Sequence, residues 1–384
     1  MTIWDVCLTH DPVYGGIHRS VGNFARALDA GILSFDDGAV DRSGWHEERP
    51  VVRVACRPRA VNRACHWVTP GMAGEAARVV RGADLLVVHS LFRGHAPWAA
   101  RWCREHRKAY LEAPDGCLDP WAMRRNALAK RAWLATVGRH FFAGVARVVF
   151  ATRREWQKAV VRVPERQASI IAWPVPVPAL EGREAARAAF RAAHGLPEAA
   201  RVLLFVGRLH PMKRPAHMVQ AFLRAAVPNC HLVVVGMEEG VSIASLLALV
   251  PAEAQGRVHV VGPLAGADLA AAYASADGFI SLSHRENFGY ALAEAFASSL
   301  PVIASPGHDL AHDVTAAGRS GFPCGWLLPD DAVDTAVSAI RDFATTPPER
   351  LAAAGASGRA WAADHLAFDR FRDRVRRLAA DVVV

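Results

Sequence analysis

The chain has 384 residues, of which 52% are hydrophobic, and its formal net charge is +8. This length predicts two domains, and the composition supplies enough apolar side chains for two cores. No stretch approaches the ~20 apolar residues of a membrane-spanning helix, and the N-terminal residues lack the pattern of a signal peptide. Seven scattered cysteines without a C-x-x-C pair argue against disulfides and a zinc site and favour a reducing cytoplasm.

The excess of positive charge predicts an anionic partner. The sequence leaves open whether this partner is a nucleoside diphosphate, a lipid phosphate, a membrane surface or nucleic acid. Abundant arginine and alanine are equally consistent with a GC-rich bacterial genome, in which case the charge carries no function. The sequence contains no D-x-D pair, no P-loop and no G-x-G-x-x-G pattern after a strand, so it shows no sign of a metal-bound diphosphate site or a dinucleotide fingerprint.

The first half of the chain alternates short apolar runs with helical patterns, which predicts an α/β domain. A strand over residues 3–8 leads into a turn with Gly15 and Gly16, and a helix follows over residues 18–28. Further strands are predicted at residues 51–56, 84–89, 145–152 and 169–173, and further helices at residues 73–82 and 153–161. Residues 36–50 are charged and rich in turn formers, which indicates a surface loop.

A long helix with a mixed basic and aromatic pattern is predicted over residues 120–142. Its cationic side chains are Arg124, Arg125, Lys130, Arg131 and Arg139, accompanied by His140, and its large apolar side chains are Trp121, Leu128, Trp133, Leu134 and Phe141. A basic amphipathic helix with tryptophan can lie on an anionic membrane. An ordinary surface helix of a basic protein has the same pattern, and the pattern alone slightly favours this alternative.

Alternating prolines at residues 174–178 predict a stiff, extended linker over residues 174–186. The second half then repeats the alternation, with strands at 201–206, 231–236, 257–262, 278–282 and 301–304 and helices at 183–194, 215–226, 268–276, 290–298 and 368–380. Arg208 and Lys213 follow the first of these strands, after Gly207. Two cations at the carboxyl end of a strand can neutralise a diphosphate, although a solvated basic loop has the same composition.

A polar turn before the predicted helix 290–298 carries the most informative residues of the chain. Glu286 lies in this turn and Glu294 in the helix, and eight helical residues span about 12 Å. The two carboxylates therefore cannot share a metal, but they can hold two ends of a long ligand such as a nucleotide sugar. Ligands bind at the carboxyl ends of parallel strands. The alternative is that Glu286 only caps the helix and Glu294 is a solvated helix residue.

Glu286 and Glu294, separated by seven residues, resemble the E-x7-E signature of retaining GT-B glycosyltransferases, and family 4 is the most similar. Three other stretches match in the same order: the Gly15-Gly16 loop, Pro-Asp-Gly-Cys-Leu-Asp-Pro-Trp ending at Trp121, and Gly-Arg-Leu followed by Lys213. The resemblance covers almost the whole chain. It implies an α/β GT-B fold, with two Rossmann-like, doubly wound parallel-sheet domains facing across a cleft.

In this fold, residues 1–178 would bind the acceptor and residues 179–367 the donor, and the last helix, 368–384, would pack back on the first domain. The resemblance implies donor-binding residues at Gly15, Gly16, Gly207, Arg208, Lys213, Val261, Gly262, Leu264, Glu286, Asn287, Phe288, Gly289 and Glu294. It implies acceptor-binding residues at His18, His89, Arg93 and Asp115, and catalytic residues at Glu286, Asp115, Arg208 and Lys213. One residue departs from the family pattern: Asp115 stands where relatives carry a histidine near the reacting sugar. An ionised aspartate cannot donate a hydrogen bond, which predicts a changed donor sugar or a changed activity.

The resemblance implies a retaining, metal-independent transfer of a sugar from a nucleotide-diphosphate sugar to a glycan or a polyprenyl-diphosphate-linked saccharide. The pathway would be bacterial exopolysaccharide, capsule or lipopolysaccharide synthesis. No cofactor, metal or nucleic acid partner is expected, and the location would be cytoplasmic, with peripheral contact to an anionic membrane at its inner face. Two alternatives remain: a nucleotide-sugar epimerase on the same fold, and a non-catalytic carbohydrate-binding protein.

Overall fold

The structure is a computed structural model that describes residues 1–10, 16–35, 50–55, 67–317 and 322–383. The chain divides into two compact units, Met1–Pro174 with Ala367–Val384, and Val175–Leu366. The break between Pro174 and Val175 lies inside the proline-rich stretch that the sequence predicts as the linker. Gly15 and almost all of the predicted loop 36–50 lie outside the described residues.

The first unit is built on a seven-stranded parallel sheet with the order β3-β2-β1-β4-β5-β6-β7. Its strands are β1 (Ile3–Cys7), β2 (Gly31–Ser34), β3 (Val51–Arg53), β4 (Leu85–His89), β5 (Ala109–Ala113), β6 (Arg147–Phe150) and β7 (Ala168–Ile170). Every residue of β4 is buried, as expected for a parallel strand that is covered on both faces. The order reverses direction between β1 and β4, which is where ligands bind in doubly wound sheets.

The helices of the first unit cover both faces of this sheet. They are α1 (Gly16–Leu28), α2 (Pro70–Val79), α3 (His95–His106), α4 (Ala127–Trp133), α5 (Arg139–Gly144) and α6 (Arg153–Lys158). The apolar face of α1 is buried through Val21, Phe24 and Leu28, at the helical spacing seen in the sequence. The sequence analysis assigned no β2, α3 or β5.

The prediction of one continuous helix over residues 120–142 is wrong. A short 3-10 turn at Ala122–Arg124 is followed by extended backbone at Arg125 and left-handed backbone at Asn126, where φ is 57°. Asparagine tolerates this conformation better than most residues, and it interrupts the helix before α4 begins. A π-helical turn at Leu134–Gly138 then joins α4 to α5.

The second unit has a six-stranded parallel sheet with the order β10-β9-β8-β11-β12-β13. Its strands are β8 (Arg201–Val206), β9 (Cys230–Val235), β10 (Val258–Val261), β11 (Gly278–Ser281), β12 (Val302–Ala304) and β13 (Gly325–Leu327). The direction of this order reverses between β8 and β11. The predicted class, α/β with two doubly wound parallel sheets, is therefore confirmed.

The helices of the second unit again flank the sheet. They are α7 (Arg183–Ala193), α8 (Pro215–Ala225), α9 (Ile243–Leu247), α10 (Gly266–Ser275), α11 (Tyr290–Ala297), α12 (Asp309–Ala317), α13 (Val333–Thr345) and α14 (Pro348–His365). A large apolar core joins β8 and β9 to α8 and α13 through residues such as Phe222 and Phe343. The last helix, α15 (Phe368–Ala380), belongs to the first unit, where Phe371 meets Phe24 of α1 with ring centroids 4.5 Å apart.

Candidate active site

The loops after β8 and β11 meet at the point where the strand order of the second sheet reverses. The loop after β8 carries Arg208 and Lys213, and the loop after β11 carries Glu286. The backbone N–H of His284 donates to the carbonyl of Met212 at 2.9 Å and joins the two loops. The candidate donor-binding side chains therefore lie at one edge of the sheet, where a doubly wound fold places its ligand.

Lys213 and Glu286 form the central ion pair of this edge. The ammonium group of Lys213 donates to Oε1 of Glu286, and both side chains are mostly buried. Burial alone would raise the pKa of Glu286, but the charge and hydrogen bond of Lys213, together with contributions from His308 and Ser283, outweigh it and lower the pKa below its ordinary value. Glu286 is thus an ionised, oriented carboxylate, and Lys213 is a positive charge held in a partly desolvated place. Such a charge acts more strongly on an anion than one in bulk water.

Arg208 lies on the same edge in a more open environment. Its Nη1 contacts Oε2 of Glu239 at 2.6 Å, and each side chain is about one third exposed. An exposed ion pair contributes little net free energy. Arg208 can therefore exchange Glu239 for a phosphate at small cost.

His308 is a residue of this site that sequence reasoning missed. A parallel β-bridge joins it to Glu286: Glu286 N–H donates to the carbonyl of Gly307 at 2.9 Å, and Asp309 N–H donates to the carbonyl of Glu286 at 3.0 Å. The His308 ring is buried, and its Nε2 lies 2.9 Å from Oγ of Ser281. Burial lowers the pKa of His308 to about 4, so the imidazole stays neutral at physiological pH.

Gly289 places the first turn of α11 against this histidine. Its φ is +78°, a conformation that favours glycine, and an added Cβ would lie 3.2 Å from Nδ1 of His308. Asn287 is half-buried and Phe288 is buried. The sequence therefore requires glycine here for two reasons, the backbone conformation and the close approach of His308.

Glu294 lies on α11, away from the Lys213–Glu286 pair along the helix. Its Oε2 accepts a hydrogen bond from the hydroxyl of Tyr273 at 2.8 Å. Both residues line a cavity of about 490 Å³ whose walls are mostly apolar and come from residues 176–186 and α10. Glu294 is therefore half-buried, oriented by Tyr273 and part of the wall of this open cavity.

Three more predicted donor-binding residues follow β10, at the same edge of the sheet. Val261 ends the strand, and Gly262 and Leu264 come directly after it, and all three are half-buried. Gly207 directly follows strand β8. Its carbonyl oxygen would lie only 1.9 Å from a Cβ added to Gly236, which follows the neighbouring strand β9. The glycine at position 236 is thus explained by close backbone packing.

The first unit gathers a different set of charges at its own point of strand reversal. His89, the last residue of β4, lies with Nε2 3.0 Å from Asp5 of β1 and with Nδ1 3.3 Å from Asp115, and all three side chains are buried. The second oxygen of Asp115 accepts hydrogen bonds from Oγ of Ser20 at 2.8 Å and from Nε1 of Trp173 at 3.1 Å. We call Asp5, His89 and Asp115 the buried triad.

The buried triad holds a protonated histidine. Burial alone would lower the pKa of His89, but hydrogen bonds and charges from Asp115 and Asp5 outweigh it and raise the pKa to about 9. Burial raises the pKa of Asp5 in turn, although His89 opposes this. At neutral pH the imidazolium is therefore shared between two carboxyl groups.

The predicted acceptor contacts of His89 and Asp115 stay a prediction. Both ring nitrogens of His89 and both oxygens of Asp115 bond to protein groups. These bonds hold the turn at Asp115, where φ is +48°. Glu155 supports this turn by accepting from the N–H of Gly116 at 2.9 Å.

Other predicted acceptor-side residues remain more accessible. His18 is half-buried on α1 and stacks on His10 with ring centroids 4.2 Å apart, and Arg93 is half-buried between β4 and α3. Gly16 begins α1, and an added Cβ would meet nothing within 4 Å, so packing of the described residues does not require glycine there. Within the described ranges, no group of three or more His, Cys, Asp or Glu side chains is arranged to hold a metal ion.

Comparisons with known proteins place this geometry in context. The chain is 36% identical over 179 residues to a D-inositol 3-phosphate glycosyltransferase of Kineococcus radiotolerans, a match of 43% of this chain and 41% of that protein. It is 37% identical over 123 residues to the protein of the same name from Mycolicibacterium gilvum, covering 31% and 27% of the two chains. These matches thus span less than half the length of the curated relatives.

Solved structures match over nearly the full length at low identity. The Anabaena protein HepE in complex with UDP and glucose superposes with a TM-score of 0.77 at 15% identity, covering 99% of this chain and 100% of the other. Sucrose-phosphate synthase from Thermosynechococcus elongatus superposes with a TM-score of 0.73 at 19% identity, covering 100% and 99%. WaaG, a glycosyltransferase involved in lipopolysaccharide biosynthesis, gives 0.63 at 18% identity, covering 99% of each chain. These likenesses confirm the predicted fold, two Rossmann-like domains of the GT-B type.

A protein-family match covers most of the second unit, from residue 186 to residue 361. This range contains the residues of the candidate donor site, Arg208, the Lys213–Glu286 pair and Glu294. The matching family is described as glycosyl transferases group 1.

Proposed function

We propose that the protein is a retaining glycosyltransferase of family 4 that uses a nucleotide-diphosphate sugar. The observation that carries this proposal is the Lys213–Glu286 ion pair, with Arg208 beside it, where the strand order of the second sheet reverses. This edge lies in the range that matches glycosyl transferases group 1. A fixed cation beside an oriented carboxylate suits a ligand with an anionic diphosphate at one end and a sugar at the other.

Arg208 and Lys213 would bind the donor diphosphate. Arg208 offers paired N–H donors to phosphate oxygens, and Lys213 supplies a compact charge. As the bond from the anomeric carbon to the phosphate oxygen breaks, negative charge builds on the leaving diphosphate. Preorganised cations stabilise that charge without moving during the step. The mechanism we propose needs no metal ion.

Glu286 and the N–H groups of Asn287, Phe288 and Gly289 would orient the donor sugar. Glu294, held by Tyr273, would accept hydrogen bonds from the ribose hydroxyls. The backbone at Val261, Gly262 and Leu264 would pack on the nucleobase, since these residues lie at the carboxyl end of β10, on the same edge of the sheet. UDP is the first nucleotide to test, because the HepE structure holds UDP and glucose.

The acceptor hydroxyl would attack the anomeric carbon from the face that the leaving diphosphate occupies, which retains configuration. A new carbon–oxygen bond forms, the bond to the phosphate oxygen breaks, and the hydroxyl proton passes to that phosphate oxygen. His18 and Arg93 are our candidates for acceptor contacts, and the buried triad would position the turn at Asp115. We propose a glycan or polyprenyl-diphosphate-linked saccharide acceptor in bacterial surface-polysaccharide synthesis. Such an acceptor would bring the protein into peripheral contact with the inner face of the cell membrane.

The test begins with thermal shifts of the purified protein against UDP, GDP, ADP, TDP and their common sugar conjugates, with and without EDTA. A ligand that binds only the folded protein raises its melting temperature. We expect a shift with one nucleotide that EDTA does not change. No shift with any of them would overturn the donor site, and a shift that EDTA abolishes would overturn the metal-independent mechanism.

The reaction itself is tested by incubating the matching nucleotide sugar with glycan acceptors and with D-inositol 3-phosphate, the acceptor in the name of the curated relatives. The anomeric proton of the product, followed by NMR, reports the configuration. Inversion would contradict the retaining mechanism. Conversion of the donor without any acceptor would identify an epimerase, and binding without turnover would identify a carbohydrate-binding protein.

Two variants separate binding from turnover. Arg208→Ala should weaken nucleotide binding, whereas Glu286→Ala should lower the transfer rate more than it lowers nucleotide affinity. Arg224→Ala is the matched control, because Arg224 also pairs with a carboxylate but lies on the exposed surface beside Asp334. Unchanged affinity in Arg208→Ala, or a purely binding defect in Glu286→Ala, would contradict the assigned roles.

A further inference from the structure

A surface of the first unit, residues 121–140, exposes large apolar side chains in an unusual way. Leu128 is 82% exposed and Trp121 is 45% exposed. Helix α4, which carries Leu128, contains no buried residue. We call this region the 121–140 surface. Water contact with so much apolar area is costly, so such exposed groups often mark an interaction site.

The same segment holds a concentration of positive charge. No Asp or Glu occurs between Asp119 and Glu155. Eight cationic residues lie in that interval: Arg124, Arg125, Lys130, Arg131, Arg139, Arg147, Arg153 and Arg154. Eight positive charges equal the net charge of the whole chain, +8. On the 121–140 surface itself, Arg124, Arg125, Arg131 and Arg139 are exposed, and within the described part of the chain none of these four forms an ion pair.

The fold separates an inner from an outer side of this segment. Phe141 is buried in the core of the first unit, and Trp133 packs on Phe92 with ring centroids 5.2 Å apart. Lys130 also points inward, because its ammonium donates to the carbonyl of Ala122 at 2.6 Å and lies over the Phe92 ring. These contacts anchor the segment without using Trp121 or Leu128. The apolar groups on the outer side are therefore not needed for packing within the unit.

We propose that the 121–140 surface binds an anionic lipid bilayer. Leu128 and Trp121 would enter the boundary between headgroups and acyl chains, and the four exposed arginines would meet lipid phosphates. A nucleic acid would use the arginines but leave Leu128 in water. An apolar groove on another protein would cover Leu128 but leave the arginines without partners. An anionic bilayer has phosphates at its surface and acyl chains beneath them, so it offers partners to the arginines and to Leu128 together.

This inference names the surface that would make the membrane contact of the proposed function, and it rests on that proposed function. Within the described residues no helix is both long and apolar enough to cross a bilayer, so any attachment through them would be peripheral. Vesicle binding and sugar transfer are measured by separate assays. Failure of one therefore leaves the other intact and identifiable.

The test is co-sedimentation of the full chain with vesicles of phosphatidylcholine alone and of phosphatidylcholine mixed with phosphatidylglycerol. We expect binding to the mixed vesicles only, weakened by salt, because exposed charges are screened. Binding to both kinds of vesicle alike, or to neither, would overturn the proposal. Preferential binding of single-stranded or duplex DNA over the mixed vesicles would also overturn it, in favour of a nucleic acid partner.

Two pairs of variants separate the apolar and the charged contributions. Leu128→Ser should weaken vesicle binding several-fold, whereas Leu247→Ser, at an exposed leucine of the second unit that is 45% exposed, should not. The double variant Arg124→Glu/Arg125→Glu should weaken binding by about tenfold or more, since each arginine near an anionic membrane contributes about a factor of five. Arg376→Glu/Arg377→Glu on α15 changes the net charge equally at two exposed arginines and should have little effect.

Equal losses in a variant and its matched control would mean that net charge or general exposure, rather than this surface, governs binding, and would overturn the proposal. Circular dichroism of each variant checks that it is folded. Nucleotide affinity and transfer to a water-soluble acceptor are expected to stay at the level of the unmodified protein. A variant that loses nucleotide binding together with vesicle binding would show that the substitution acts through the fold instead.

Discussion

The two units carry charged residues at the same topological position, yet the first unit buries its cluster almost completely and the second leaves its charges partly exposed. In the first sheet, His89 lies between Asp5 and Asp115 where β1 and β4 end, and every polar atom that faces the histidine belongs to the protein. In the second sheet, Lys213 and Glu286 lie in the loops beyond β8 and β11. Two sheets with the same strand reversal thus produce a closed cluster in one case and a candidate ligand site in the other.

For Asp5 and His89 the difference follows from where the charges lie along their strands, whereas Asp115 follows β5 and is enclosed by Ser20, His89 and Trp173. Asp5 is inside β1 and His89 is the last residue of β4, so helices and neighbouring strands cover them. Arg208, Lys213 and Glu286 come after their strands have ended, where backbone N–H groups and solvent are accessible. A charge within a parallel strand must be satisfied by the protein, whereas a charge after the strand can be satisfied by a ligand.

The protonation states differ in the same sense. The first unit stabilises a charged imidazole at His89, with a pKa raised to about 9. The second unit stabilises neutral imidazoles: burial lowers the pKa of His308 to about 4, and burial also lowers the pKa of His231 and His259. The charge of His259 adds to this effect at His231, and the charge of His194 adds to it at His259.

The largest effect is expected when Asp115 is replaced by histidine, the residue that the resemblance to family 4 leads us to expect there. The substitution removes the acceptor of Ser20 and Trp173 and sets a second imidazole beside the protonated His89. Breaking a buried charge pair costs about 3–5 kcal/mol of unfolding free energy. Urea unfolding measures the loss of unfolding free energy. Hydrogen exchange in β4 of the first unit and in β9 of the second unit shows which unit is destabilised.

Asp115→Asn is the control, because it keeps the shape and its carbonyl oxygen can still accept from Ser20 and Trp173, while the acceptor that faces His89 is lost. It should cost less than Asp115→His. If Asp115→His were as stable as the unmodified chain and transferred sugar faster, Asp115 would be a ligand contact and its closed environment would open during turnover.

The next largest effect is expected from Lys213→Ala in the second unit. The variant removes the cation that would stabilise the leaving diphosphate and leaves Glu286 without its partner. Loss of one preorganised group of this kind lowers turnover by about 10²–10³-fold. Steady-state transfer rates measure the effect, and Arg224→Ala at the exposed pair with Asp334 provides the comparison. A fall of less than about threefold in Lys213→Ala would remove Lys213 from the mechanism.

The pH dependence of stability should have opposite slopes in the two units. The folded pKa of His89 lies above the unfolded value of about 6.5, so its contribution is complete below pH ~6.5 and disappears as pH rises through about 9. The folded pKa values of His231 and His259 are lowered, so their contribution is present above pH ~6.5 and declines as pH falls below it. The rise of the His89 pKa from about 6.5 to about 9 corresponds to a slope on the order of 3 kcal/mol in total.

Hydrogen exchange of β4 and β9, corrected for the intrinsic pH dependence, measures the two slopes in one sample. His89→Gln should remove the alkaline slope in β4 and leave the acid slope in β9. His231→Gln with His259→Gln, which replaces the histidine pair whose ring nitrogens lie 3.0 Å apart, should do the reverse. Parallel slopes in both strands would contradict the contrast between the units.

The smallest effect is expected from Tyr273→Phe. This change removes only the hydroxyl that donates to Oε2 of Glu294 and to the carbonyl of Ala291. A hydrogen bond to a charged group contributes about 1.5–3 kcal/mol, and Glu294 keeps its place on α11, so nucleotide affinity should fall by only about tenfold. Isothermal titration with a nucleotide and its 2′,3′-dideoxy analogue measures it. An equal loss for both ligands would mean that Glu294 does not contact the ribose.

Residues of the candidate donor site could be predicted because their signals are local. Lys213 follows β8, and Glu286 and Glu294 share one strand–turn–helix unit, so spacing along the chain already reports their position. Asp5 and His308 were not predicted as site residues, since their roles depend on partners far away in sequence. The only available signal for His308 was the departure of the Ser-Pro-Gly-His stretch from the family pattern.

The amino-acid sequence was sufficient to predict the two α/β units, their parallel sheets and the charges that follow β8 and β11, because hydrophobic periodicity and strand–loop order are properties of neighbouring residues. How deeply each charge is buried depended on the folded structure. That structure brought His89 between two carboxylates, broke the predicted helix at Asn126 and turned Leu128 and Trp121 outward. Burial depends on contacts between residues that are distant in sequence. The free energy of a charge or of an apolar side chain depends in turn on how far the side chain is buried.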